Sequence, residues 1–107
     1  MENEKLYTVY IHESPSGKKY VGITSDSVKS RWDYGWGYQN NPYFWNAIQK
    51  YGWNNIKHEV LFTNLTEAAA KSKEIELIAE MDLTNRDKGY NRSPGGDLGN
   101  ISMRKKI

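Results

Sequence analysis

A chain of 107 residues with a net charge of +2 and no cysteine fits one small domain, and excludes both a disulfide framework and a thiolate metal site. With His12 and His58 as its only histidines it also excludes a histidine-rich metal cluster, and no apolar run reaches membrane-spanning length. The charge alone is no nucleic-acid footprint; the anomaly is aromatic, with Trp32, Trp36, Trp45, Trp53 and eight tyrosines, some of which a small core absorbs while the rest offer faces for bases or sugars.

The start, Met1-Glu2-Asn3-Glu4-Lys5, is acidic and lacks a signal-peptide pattern, so a soluble, reducing, cytoplasmic setting is expected. Residues 6–12 alternate, with Val9 and Ile11 on one face and Thr8, Tyr10 and His12 on the other. Glu13-Ser14-Pro15-Ser16-Gly17 is turn chemistry. Residues 18–23 alternate again, with Val21 and Ile23 opposite in phase to Tyr20 and Gly22. An antiparallel hairpin that pairs the apolar faces puts Tyr10 and Tyr20 on one surface. Asp26 or Ser27 caps a short helix containing Val28, Arg31 and Trp32. Residues 33–42, rich in Gly, Asn and Tyr, read as a loop. Residues 43–51 form a helix with Phe44, Ala47, Ile48 and Tyr51 on one face, stopped by Gly52. Residues 58–62 read as a third strand. Asn64 or Thr66 caps a longer helix that runs to about Met81, followed by a polar loop over 82–90 and a glycine-rich terminator or linker over 93–99.

Within the long helix, Glu74 falls in the centre of the stripe made by Ala70, Leu77, Ile78 and Met81, whereas Glu76 and Glu80 point to the polar face. A carboxylate in a buried stripe is costly unless it is paired or bound to a metal. It is read either as half of a buried salt bridge, with Arg31 as the partner, or as a hard ligand that suits magnesium. Tyr10 and Tyr20 are ordinary strand aromatics taken singly. Together, beside a carboxylate and an arginine, they form a set suited to phosphodiester hydrolysis, where a nearby cation would lower a phenol's pKa and let it take a proton from water. Arg31 is either a surface charge or a planar fork matched to phosphate oxygens. Asn91, after Gly89-Tyr90, either fixes a turn or serves the site.

This pattern resembles the GIY-YIG nuclease family. The first signature element stands as Thr8-Val9-Tyr10 and the second as Tyr20-Val21-Gly22; the family's arginine falls on Arg31, its metal-binding glutamate on Glu74 and its late asparagine on Asn91. The stretch Asn46-Ala47-Ile48-Gln49-Lys50-Tyr51-Gly52-Trp53 with His58-Glu59-Val60-Leu61 is similar to the branch found in phage and intron-type homing endonucleases. The resemblance implies an α/β (α+β) domain over residues 1–97, with a three-stranded antiparallel sheet flanked by helices, and a basic tail or start of a linker over 98–107. It implies cleavage of double-stranded DNA with one divalent ion, Mg2+ or Mn2+. Tyr10 or Tyr20 would activate or position the water, Arg31 would hold the scissile phosphate, Glu74 would bind the metal and Asn91 would steady the site. The chain departs from the family at Thr8, in place of the first glycine, and at Ile23, where some branches carry lysine. It departs again at Gly35, where a His or Tyr is common; Tyr34 and Tyr38 are the substitutes at hand. Homing-type relatives carry a DNA-binding segment after the nuclease domain. Either the tail joins such a region in a longer protein, or this domain works alone with little sequence preference. The competing expectations are a non-catalytic nucleic-acid-binding module that kept the fold, and a structural domain built on a Glu74–Arg31 pair.

Overall fold

The structure, a computed structural model, describes residues 5–95. It is an α+β fold. Strand β1 (Tyr7–Glu13) and strand β2 (Lys19–Thr24) form the expected antiparallel hairpin, and β3 (Lys57–Leu65) adds antiparallel to the other side of β1, giving the order β2-β1-β3. The hairpin turn closes with Gly17 N–H donating to the Ser14 carbonyl at 2.8 Å, at a positive φ of 90° that glycine adopts without strain. The register sets Tyr10 opposite Gly22 and His12 opposite Tyr20. β3 pairs with β1 through register shifts near Val9 and extends to Leu65, past the residue 62 expected from the pattern.

Helix α1 (Val28–Trp32) is capped by Ser27, whose hydroxyl accepts from Ser30 N at 3.1 Å. Residues 33–42, expected as loop, hold a tight helical segment, Asp33–Tyr38, kinked at Tyr34 and Gly35, both at positive φ. Helix α2 (Pro42–Tyr51) starts with proline in its first turn, where the missing N–H costs nothing. Asn41 caps it, and it ends at Gly52 as expected. Helix α3 (Glu67–Met81) is capped by Thr66, which accepts from Ala69 N at 3.2 Å.

The helices cover both faces of the sheet. Val9, Val21 and Ile23 pack with Tyr7, Leu83 and the α3 residues Ala70 and Ile78; Tyr10 packs on the opposite side with Tyr38, Phe44, Ala47, Ile48, Ile56 and Tyr90. The central strand β1 is therefore buried on both faces, and the polar phase of its alternation is a second, aromatic core. Among the described residues no helix is long and apolar enough to cross a membrane. The expected boundary at residue 97 and the basic tail lie outside the described residues.

Candidate active site

The site is organised by one small residue. Gly22 faces Tyr10 across the hairpin, and a Cβ built on it would lie 2.6 Å from the Tyr10 hydroxyl. The phenol thus lies flat across β2 because position 22 has no side chain. Tyr10 is 0% exposed, and its hydroxyl lies within reach of Arg31, whose charge lowers its pKa, and of the Tyr38 hydroxyl. Tyr20 shares this face, as expected; it is half-buried and stacks on Phe44 with ring centroids 5.3 Å apart.

Arg31, from α1, reaches the phenols. Its Nη1 donates to the Gly37 carbonyl at 2.7 Å, and its guanidinium lies 4.5 Å above the Tyr38 ring. Burial works against the charge, but the ring of tyrosines 10, 38 and 20 outweighs it and the pKa is raised, so Arg31 stays cationic. The structure also separates Tyr34 from Tyr38. Tyr34 is 68% exposed, whereas Tyr38 is buried and interacts with Tyr10, Tyr20 and Arg31. A side chain at Gly35 would be strained: φ is 98°, and a Cβ would press on Trp53 at 3.0 Å and Ile48 at 3.1 Å.

Glu74 comes from α3, across the sheet, yet it acts on both Tyr10 and Tyr20. It is half-buried, not centred in a buried stripe: Ala70 and Ile78 are buried, but Leu77 and Met81 only partly so. The helix period places Glu74 on the inward side, but the covering is incomplete there. Partial exposure suits a metal ligand, since a magnesium ion keeps several waters. Among the described residues no group of three or more His, Cys, Asp or Glu side chains could hold a metal ion. The donor set is one hard carboxylate beside phenols and an arginine. That fits an ion held by a single carboxylate, water and substrate phosphate, and does not fit a dedicated protein cage.

Asn91 is committed to backbone. Its Oδ1 accepts from Val21 N at 3.0 Å and its Nδ2 donates to the Val21 carbonyl at 2.8 Å. Lys19 N donates to the Lys88 carbonyl and Tyr90 N to the Lys19 carbonyl, so residues 88–91 run along the outer edge of β2. Asn91 thereby holds the strand between Tyr20 and Gly22, with one bond from each polar atom of its amide given to Val21.

Two residues escaped the sequence reading. His12 is fully buried among the rings, with Nε2 2.7 Å from the Tyr38 hydroxyl and Nδ1 2.9 Å from His58 Nδ1. The available signal was that alternation puts His12 on the Tyr10 face; the partner, 46 residues away, left none.

Burial raises the pKa of Tyr10, Tyr20 and Tyr38, and the lowering effect of Arg31 does not overcome it. With protein groups alone the phenols are neutral at pH 7. Burial, then His58 and Arg31, push His12 down to about 2. A cleft lined by Val28, Lys29, Trp32, Tyr34 and Trp53 adjoins the cluster through Trp32, whose ring meets Tyr10 edge-on at 5.5 Å.

No family model, no curated protein and no solved structure matches the chain.

Proposed function

We propose that this chain is a metal-dependent DNA endonuclease of the GIY-YIG type. The observation that carries the reading is the convergence of Tyr10, Tyr20, Arg31 and Glu74, from four separate elements, on one cluster of phenols in which each acts on the others. The order of these residues along the chain supports it. Arg31 binds the scissile phosphate through the N–H groups not spent on Gly37, and stabilises the charge that builds up during in-line attack. The Tyr10 hydroxyl orients the attacking water. Since both phenols are neutral in the protein alone, Tyr10 or Tyr20 accepts the water's proton only beside an added cation. Glu74 would hold that cation, Mg2+ or Mn2+, whose chemistry when bound is to stabilise the leaving oxygen. Asn91 and Gly22 act on β2, setting the positions of the two phenols.

The test is nicking of supercoiled plasmid by the purified chain with magnesium or manganese, with chelator, and with Glu74→Ala. Metal-dependent open-circle product that disappears in the variant is expected. Undiminished cleavage by folded Glu74→Ala overturns the mechanism. Salt-sensitive duplex binding without cleavage under either metal replaces it with a binding module.

A further inference from the structure

The charges of this chain are sorted by layer. Helix α3 carries four glutamates against two lysines. From residue 34 to residue 58, the stretch that includes α2, there is no Asp or Glu at all. Pairing follows the same division. Lys19, Lys71, Lys73 and Lys88 each lie within ion-pair distance of a carboxylate. Among the described residues Lys18, Lys50 and Arg86 form no ion pair.

These three cations share one surface. Two clefts between α2 and residues 86–90 have Lys18, Tyr43, Asn46 and Tyr90 in common, so they form one groove; Arg86 lines the first and Lys50 the second. Among the described residues no carboxylate lines either cleft, whereas the cleft that reaches Met81 of α3 holds Glu13 and Glu59 as well as Lys19 and Lys57. Arg86 is fixed in place. Its Nε donates to the Thr84 carbonyl at 3.3 Å, its Nη2 donates to the same carbonyl at 2.8 Å and to that of Asn91, and its guanidinium lies 4.0 Å over the Tyr43 ring. All these partners are neutral, so the positive charge is positioned but not compensated. Tyr43 and Asn46 are exposed in the same cleft, and their hydroxyl and amide can donate to an anion's oxygens. Lys18 stands two residues before Tyr20, so roughly 7 Å of extended chain separates the groove from the phenol cluster.

We propose that this groove is a second phosphate-binding surface, in which Lys18, Lys50 and Arg86 hold the backbone of a DNA duplex to one side of the phosphate that is cut. The spread of the cations favours an extended polyanion over a single free phosphate. Arg86 stacks on Tyr43 in the first turn of α2, and Lys50 follows two turns later, roughly 10 Å along the axis, which is farther than one phosphate can bridge. Arg86, rigid and planar, fixes the register of the backbone, and the two lysines follow it as point charges. Contacts of this kind position the duplex and carry no base sequence, in keeping with a domain of little sequence preference. The choice of DNA as the polyanion rests on the nuclease reading.

The experiment is binding of the full chain to a short labelled DNA duplex, read by fluorescence anisotropy at stepped salt concentrations with no divalent metal present. The double variant Lys18→Ala, Lys50→Ala changes neither core cluster. It should bind more weakly, and the slope of log affinity against log salt should fall by about 1.8, two phosphate contacts at about 0.9 each. Arg86→Gln, read where thermal unfolding shows it folded, should lower the slope by about 0.9. Lys71→Ala, on α3, should bind as wild type does. An undiminished slope in the lysine double variant, or an equal fall in Lys71→Ala, overturns the groove. So does a wild-type chain that binds no duplex at low salt, or one that binds polyglutamate as tightly as DNA, which would mark the face for an acidic protein. A reduced slope in a chain that never nicks plasmid with magnesium or manganese upholds the groove and refutes the nuclease reading; metal-dependent nicking with an undiminished slope does the reverse.

Discussion

Replacing Gly22 by alanine tests the packing that shapes the site, because the expected sign is opposite to the usual one. Gly22 lies within β2, where no positive φ is required. At an open strand position, alanine is more stable than glycine by about 0.5–1 kcal/mol. Here the new methyl would lie 2.6 Å from the Tyr10 hydroxyl oxygen, 2.8 Å from Cζ and 2.9 Å from Cε1. The phenol cannot swing away into solvent: it is 0% exposed, with Trp32 edge-on at 5.5 Å and His12 at 5.3 Å. Overpacking of this kind costs about 1–3 kcal/mol. After the backbone gain, a net loss of about 0–2.5 kcal/mol remains. For a domain of this size that lowers Tm by up to roughly 20 °C. Thermal unfolding followed by circular dichroism reads the change. Adding Tyr10→Phe removes the nearest atom but leaves the ring, so the double variant should recover part of the loss. A rise in Tm for Gly22→Ala would refute the reasoning.

Asn91→Ala should strip the partners from the Val21 N–H and carbonyl, both deeply buried, and cost about 2–4 kcal/mol, read as a lower urea midpoint; an unchanged midpoint would show that the clamp is dispensable. In the nuclease reading, Arg31→Lys keeps the charge but loses the planar fork, so plasmid nicking should slow by about 10²–10³-fold, and nicking at the wild-type rate would remove Arg31 from the proposed phosphate contact. His12 in the folded chain is pushed from 6.5 down to about 2, so below pH 6.5 the unfolded chain binds a proton that the folded chain refuses. Stability is therefore full above that pH and falls by about 1.4 kcal/mol per pH unit as the solution is acidified. His58, also lowered by burial, contributes in the same direction. Urea unfolding at stepped pH values should show this slope, shallower in His12→Asn; a flat profile down to about pH 5 would contradict it.

Much of this arrangement is legible locally. The period of two in β1 and β2 leaves no freedom about which side chains share a face, so Tyr10 and Tyr20 fall together as read. Ser27, Thr66 and Gly52 mark helix ends by hydrogen bonding and backbone geometry that depend on near neighbours only. The rest depends on distance in space. Periodicity says that Glu74 points inward but not how completely the other layers cover it. Tyr34 and Tyr38 are equivalent in sequence; the kink at Gly35 turns one outward and one inward. Asn64, read as a possible helix cap, adopts a positive φ inside β3, because pairing with β1 carries the strand past it. The end of Asn91 on Val21, and of His12 on His58, follows from the chain path and from no local pattern.

The clamp on β2 has a consequence for the timing of folding. Val21 and Asn91 are separated by 70 positions. A chain emerging from the ribosome exposes its hairpin first, yet one face of Val21's peptide groups waits for almost the whole described sequence before it is tied down. Contacts of such long range form late, after their closure entropy has been met. A nascent chain that has reached α3 already carries Tyr10, Tyr20, Arg31 and Glu74 but leaves the outer edge of β2 bare. In the nuclease reading, cleavage is withheld until translation has passed residue 91, and a shorter product carries the reactive groups without the brace that aligns them.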